Sequence, residues 1–219
     1  MKIPRNLSEY LAKNYGEMIG RGTFSHVYHK SGDKFVTIIS NDRVKECAAY
    51  FGLENTEDLS KRARAKIPIV FPRVEFYKRD EKFQEMDEKL REMVAEIGDG
   101  DFRVYKMDYL SRVKSPKREL NPGAWAIYQK LRKISNSIGN CQNNWDRVDK
   151  YRELFNGIEG EGENKIGKNG VGIIMNGAID RLLNYGADIG FEISPRNIST
   201  DKAGRLILMD CFFFRGDLK

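Results

Sequence analysis

Histidine and cysteine are scarce in this chain. Two histidines (His26, His29) and three cysteines (Cys47, Cys141, Cys211) among 219 residues form no CxxC pair and no ligand-spaced cluster. That argues against a structural zinc site or a disulfide framework, and reduced thiols are the expectation. Long hydrophobic runs are missing too, since no stretch approaches the roughly 20 apolar residues of a membrane span. The N-terminus MKIPRNLSEYL has no apolar segment of the secretory kind. A cytoplasmic protein without a membrane partner is the expectation. There is no internal repeat and no low-complexity tract.

What is present suits a packed, water-compatible domain or two small lobes. Hydrophobic residues make up 40% and aromatics 11%, enough for a core, while 32% of residues are charged and mean hydropathy is −0.59. A net charge of +6 and a pI near 9.1 suit an acidic partner: nucleotide phosphates, an acidic protein or nucleic acid. Basic and acidic residues are interspersed, so nucleic acid is the lesser expectation.

The first ten residues read as a helix, with Leu7, Tyr10 and Leu11 at helical spacing and Asn6 or Ser8 as cap. EMIGRG, SHVYHK and KFVTIIS then read as strands, the last two joined by a tight SGD turn. Residues 42–65 read as one or two helices. IPIVFPRVEFY (67–77) and DFRVYKMDYL (101–110) each read as one strand. Between them a charged helix at 80–98 carries the apolar stripe Phe83, Met86, Leu90, Met93, Ile97, which predicts an insertion docked on a core. Helices follow in NPGAWAIYQKLRKISNSI, NNWDRVDKYRELFNGI and VGIIMNGAIDRLLNYG. GIEGEGENKIGKNGVG (157–172) reads as the most loop-like segment. FEISPRN reads as a loop and GRLILMDCFFF as a strand. Strands up to about 110 and helices afterwards predict an α+β protein with two lobes, 1–110 and 111–219. His26 and His29 are expected at a strand surface, and Trp125 and Trp145 are expected to anchor the helical lobe.

Two places carry candidate chemistry. In IGRGTFSHVY, Gly20 and Gly22 would let backbone approach a phosphate and donate amides to it, or simply form a turn. In GRLILMDCFFF, Asp210 stands between Met209 and Cys211, with Asn197 thirteen residues before it. A carboxylate inside such a run costs several kcal/mol to desolvate without a partner, so a compensating group is expected opposite it. The alternative is a strand-end carboxylate capping backbone amides or pairing with Arg205 or Arg215.

The stretch Gly-x-Gly-x-Phe-Ser-x-Val-Tyr on a hairpin, followed far along the chain by a helix, FEISPRN and a strand ending in Asp210, resembles the protein kinases. It resembles in particular the small early serine/threonine protein kinases of tailed phages. The resemblance implies a two-lobed, minimal kinase-like fold, with an antiparallel five-strand sheet and helical insertion in the N-lobe and a truncated helical C-lobe. It implies Asn197 and Asp210 as the two metal ligands, for magnesium bridging the phosphates of ATP. Gly20 and Gly22 match the phosphate-covering loop with Phe24 at its tip, Val27 follows on the next strand, and Met107 falls at the hinge. The catalytic-loop Asp is matched by Glu192, a carboxylate one methylene longer, and Ser194 stands near the place of the histidine many members have.

The lysine that the family carries on the third strand is absent: Thr37, Ile38 or Ile39 occupies its place, and Lys30 or Lys34 is the candidate to restore the charge, with Glu46 as ion-pair partner. After Asp210 only CFFFRGDLK follows, with no activation segment. These departures make a pseudokinase that binds and modulates a host protein, with or without nucleotide, the first expectation. An active magnesium–ATP serine/threonine kinase is the second and a nucleic-acid-binding protein on the same scaffold the third. The phage resemblance also implies the cytoplasm of an infected bacterial cell.

Overall fold

In a computed structural model of the chain, Phe35–Ser40 (β3) is the middle strand of a five-stranded antiparallel sheet. Residues 3–22, 24–42, 44, 67, 69–72, 74–76, 88–96, 103–138, 141, 143–158, 165–184 and 188–215 are described. The chain divides into two units, Met1–Ala49 with Arg73–Tyr109 and Tyr50–Pro72 with Leu110–Lys219. The expected α+β class holds.

The first unit starts with α1 (Arg5–Tyr15), then β1 (Glu17–Arg21), β2 (Ser25–His29), β3, β5 (Val74–Phe76), α2 (Glu88–Glu96) and β6 (Arg103–Asp108). The sheet order is β1-β2-β3-β6-β5. Strand alternation sends His26, Tyr28, Ile39 and Val104 to one face and Val27, Val36, Ile38, Tyr105 and Met107 to the other. The first face is covered by helices, where Leu7 and Leu11 of α1 and Leu90 of α2 join Tyr28, Ile39 and Val104 in one buried cluster. Leu7 and Leu11 share a helix face because they are four residues apart, and burying each contributes about 2 kcal/mol. Met93 packs against the same cluster, so the described part of the charged insertion is docked through its apolar stripe. Phe83, Met86 and Ile97, and residues 43 and 45–65 of the helices expected over 42–65, lie outside the described residues.

The second unit holds β4 (Ile69–Val70), α3 (Pro116–Glu119), α4 (Pro122–Ser137), α5 (Asn144–Asn156), α6 (Lys165–Leu183), β7 (Ile189–Phe191), β8 (Ile198–Thr200), β9 (Leu206–Leu208) and β10 (Phe212–Phe214). α4 and α5 start at Asn121 and Asn143, whose side chains accept the amides of Ala124 and Asp146, each cap worth about 1 kcal/mol. β10 pairs with β7, and β9 lies between β8 and β4.

Several expectations need correction. IPIVFPRVEFY is not one strand: Ile69–Val70 pairs in parallel with β9, and Val74–Phe76 pairs with β6 in the other unit's sheet. Pro72 falls between them, and a proline removes the ladder donor that a continuous strand would need. GRLILMDCFFF likewise forms two strands, β9 and β10, with a bend at 209–210. The loop expected over 157–172 is helical from Lys165 onward. A Cβ on Gly172 would lie 2.9 Å from Asn156 Oδ1 and one on Gly170 3.0 Å from Ile67 Cγ1, so these glycines serve close packing of α6, which outweighs their poor helix propensity. Trp145 is 65% exposed and anchors nothing, whereas Trp125 stacks on Tyr128. His26 is buried on the helix-covered face. α1 begins at Arg5 behind Pro4, so neither Asn6 nor Ser8 caps it.

Candidate functional site

In the second unit, three backbone hydrogen bonds gather the residues of the candidate catalytic loop. The Glu192 amide donates to the Cys211 carbonyl at 2.8 Å, and the Met209 amide donates to the Asn197 carbonyl at 2.9 Å. The Asn197 amide closes a turn on the Ser194 carbonyl at 3.0 Å. Asp210 is therefore bracketed: the residue before it is tied to Asn197 and the residue after it to Glu192. Antiparallel pairing of β8 with β9 and of β7 with β10 produces this arrangement, because both ladders run into the same bend.

Asp210 and Glu192 are exposed and Asn197 is half-buried. The expected desolvation of Asp210 inside an apolar run does not occur. Leu208 and Cys211 are buried on either side, but Asp210, at the bend between β9 and β10, is exposed. Periodicity along the sequence could not show this, since the change of direction comes from two strands joining different partners.

The β8–β9 hairpin carrying this cluster has a support that the sequence reading missed. The Asp201 carboxylate accepts from the amides of Ala203 and Arg205, both at 2.9 Å, and from Arg205 Nε at 2.6 Å. Burial alone would push this carboxyl up, but the Arg205 amide and guanidinium and the Ala203 amide outweigh it and hold the carboxyl below its ordinary value. Gly204 takes φ +72, and its carbonyl accepts the Asn121 amide at 2.9 Å, tying the hairpin to the start of α4. The local signal was present as Asp-Lys-Ala-Gly, a turn sequence whose acid bonds its own backbone.

In the first unit, Gly20 of β1 lies opposite Val27 of β2, and Met107 of β6 lies opposite Val36 of β3. Val27 and Met107 pack on the cluster Val36, Ile38, Tyr105. Gly20, Val27 and Met107 thus share the sheet face that α1 and α2 do not cover. The hairpin is closed by the Gly22 amide donating to the Ser25 carbonyl at 2.8 Å. Phe24 is half-buried, and its carbonyl accepts from Ser40 Oγ at 2.8 Å and from the Asn41 amide at 3.1 Å. Neither Gly20 nor Gly22 has positive φ. A Cβ would meet Val27 Cβ at 3.6 Å in one case and the Ser25 carbonyl oxygen at 3.8 Å in the other, both ordinary contacts.

Lys30 is not brought to this face. It is exposed just beyond the end of β2, and Lys34 is exposed just ahead of β3. On β3, Ile38 faces the Val27–Met107 side, while Thr37 and Ile39 face the helices. Glu46 lies outside the described residues.

No group of three or more His, Cys, Asp and Glu that could hold a metal occurs among the described residues. The Asn197 amide oxygen and the Asp210 carboxylate are hard oxygen donors, and such a pair fits magnesium, which keeps its other positions for water and phosphate. No helix among the described residues is long and apolar enough to cross a membrane.

No protein-family model matches the chain, and no curated protein matches it. Among solved structures, a spectinomycin phosphotransferase in complex with ADP and spectinomycin is similar with a TM-score of 0.38 at 14% identity, over 98% of this chain and 71% of that one. Similarity at that level assigns no family and no activity.

Proposed function

We propose that the chain is a kinase-like phosphotransferase that takes ATP with magnesium, with Glu192 as the proton acceptor and Asn197 and Asp210 as the metal ligands. The observation that carries this reading is the bracketing of Asp210, whose two chain neighbours are tied by backbone bonds to Asn197 and Glu192, with both carboxylates at the surface. The metal, when bound, neutralises phosphate charge. Glu192 accepts the proton of an attacking hydroxyl, a task for which an exposed carboxylate is chemically suited. Asn197 and Asp210 hold the phosphates' counterion, and the Met209–Asn197 backbone bond ties together the two stretches that carry them. Taken by itself, the first unit offers Gly20, Gly22 and Phe24 to a nucleotide phosphate and Val27 and Met107 as apolar contact to a base. The hairpin leaves room for a side chain at both positions, so no contact among the described residues requires glycine there, whereas a phosphate approaching the backbone would.

A second reading is favoured by one observation. The described strand residues facing the Val27–Met107 side include no lysine, and Lys30 stands beyond the end of its strand. A lysine aimed at the phosphates is a main electrostatic contribution to phosphoryl transfer; the register puts Arg103 at the end of that face, and a chain in which no cation takes the lysine's place would act as a pseudokinase, binding a host protein rather than modifying it. Purified protein incubated with labelled ATP, magnesium and candidate protein acceptors separates the two. Transfer that is lost in Asp210→Asn supports the phosphotransferase, and absence of transfer together with a stable protein partner supports the binding module. Absence of both, with a salt-steep mobility shift on nucleic acid, would favour the third expectation.

A further inference from the structure

Among the described residues β7, the strand that delivers Glu192, has a strand partner on one edge only, β10. Its other edge is met by helices. The Ile189 amide donates to Asn144 Oδ1 at 3.1 Å and the Phe191 amide donates to the Tyr151 hydroxyl at 3.0 Å, both on α5. The Ile193 amide continues the series to Ser135 Oγ of α4 at 3.4 Å. Every second amide thus points to a helix side chain, while the Glu192 amide between them points to Cys211. Just ahead of the strand, Asp188 pairs with the buried guanidinium of Arg147, and the Asp188 carbonyl accepts the Arg215 amide at 2.8 Å from the far end of β10. Residues 144, 147 and 151 follow helical spacing of three and four, so one face of α5 supplies all three grips.

We propose that α5 is a positioning element for the candidate loop: Asn144, Arg147 and Tyr151 replace a neighbouring strand along β7 and set the register in which Glu192 meets Cys211. Register in a ladder is all or nothing, since a slip of one residue turns each side chain to the opposite face. With β7 only three residues long, its bonds to β10 alone give little resistance to such a slip. Tyr151 is the central grip. Its ring lies parallel to Phe155 at 5.7 Å and edge-on to Phe191 at 6.0 Å, which fixes the hydroxyl in a buried place where the Phe191 amide has no water to turn to. The inference rests on the loop cluster being the functional one, as proposed above.

The test compares Tyr151→Phe, which keeps the ring and removes only the acceptor, with Asn144→Ala and with Tyr128→Phe, a buried tyrosine of α4 that stacks on Trp125. Amide hydrogen exchange is followed across 188–193 and, as reference, across 122–137, and turnover of ATP with magnesium is measured in parallel. The expected result is exchange at 189–193 accelerated about tenfold or more in Tyr151→Phe and Asn144→Ala but not in Tyr128→Phe. With it, kcat should drop about 10- to 100-fold at unchanged KM for ATP, the mark of misplaced chemistry with intact binding. Unchanged exchange at 189–193 in both α5 variants overturns the proposal, as does acceleration shared equally with 122–137 or with Tyr128→Phe. So does faster local exchange with unaltered kcat. If the unmodified protein turns over no ATP, the phosphotransferase reading is what fails, and the exchange pattern alone still upholds or overturns the register role of α5.

Discussion

The Met209 amide donates to the Asn197 carbonyl at 2.9 Å. This single backbone bond puts the last residue before Asp210 opposite the candidate amide ligand, and it does so without using either side chain. The hairpin that carries the pair is thus held by its own ladder.

Removing either oxygen ligand should abolish metal-dependent nucleotide binding without unfolding the chain. In Asp210→Asn and Asn197→Ala, the rise in melting temperature that ATP with magnesium gives the unmodified protein should vanish, because ligand stabilisation follows mass action. The melting temperature without ligand should stay within about 2 °C, since exposed or half-exposed substitutions usually change stability by less than about 0.5 kcal/mol. A preserved shift in both variants would remove the pair from the site.

Gly20→Ala and Gly22→Ala should fold normally, because an added Cβ meets only ordinary contacts, at 3.6 and 3.8 Å respectively. Their nucleotide affinity should nevertheless decline, by about tenfold, if phosphates approach the hairpin backbone closely. Titration with ATP and magnesium by calorimetry measures this, and unchanged affinity in both would leave the glycines to the turn alone.

Gly16→Ala should behave in the opposite way. Gly16 has φ +92, and an added Cβ would lie 2.2 Å from the His29 carbonyl oxygen, a backbone atom that cannot swing aside. A loss of at least about 2 kcal/mol is expected from strain and overlap together. Chemical denaturation followed by circular dichroism gives the value, and stability equal to the unmodified protein would contradict the junction between α1 and β1.

Asp201 makes a pH prediction. Its folded carboxyl titrates below the ordinary range, so it stabilises the fold in full above the unfolded value of about 3.9 and loses that contribution as pH falls through the lower folded value. Asp201→Asn should lower stability near neutrality and flatten the decline below about pH 4. Melting temperatures from about pH 2.5 to 7 test it, and parallel curves for the two proteins would count against the Asp201–Arg205 hairpin lock.

Trp145, at 65% exposure, should be the quenchable tryptophan. Acrylamide should quench the Trp125→Phe protein strongly and the Trp145→Phe protein weakly, and Trp145→Phe should leave stability within about 0.5 kcal/mol. Equal quenching of the two would mean that Trp145 is covered in solution.

Much of this molecule was legible in order along the chain. The α+β class, the β1–β2–β3 hairpins and the docking of the charged insertion through Leu90 and Met93 all follow from local alternation, turn residues and helical spacing. These are short-range properties, set by backbone geometry and by which side chains avoid water. The candidate residues Glu192, Asn197 and Asp210 were also found from the sequence, as positions in a pattern.

Their grouping and exposure came from elsewhere. The apolar residues around Asp210 suggested a buried charge, yet β9 and β10 pair with different partners and Asp210, at the bend between them, is exposed. Ile69–Val70 left the expected strand for a parallel partner more than a hundred residues away, and the glycines near 170 packed a helix instead of opening a loop. The bonds from Asn144 and Tyr151 to β7 have no sequence signature at all, because a helix side chain meeting a strand amide some forty residues distant depends on how the elements pack. Local chemistry chose the elements and supplied the donors; long-range pairing chose which of them face water and which hold one another in place.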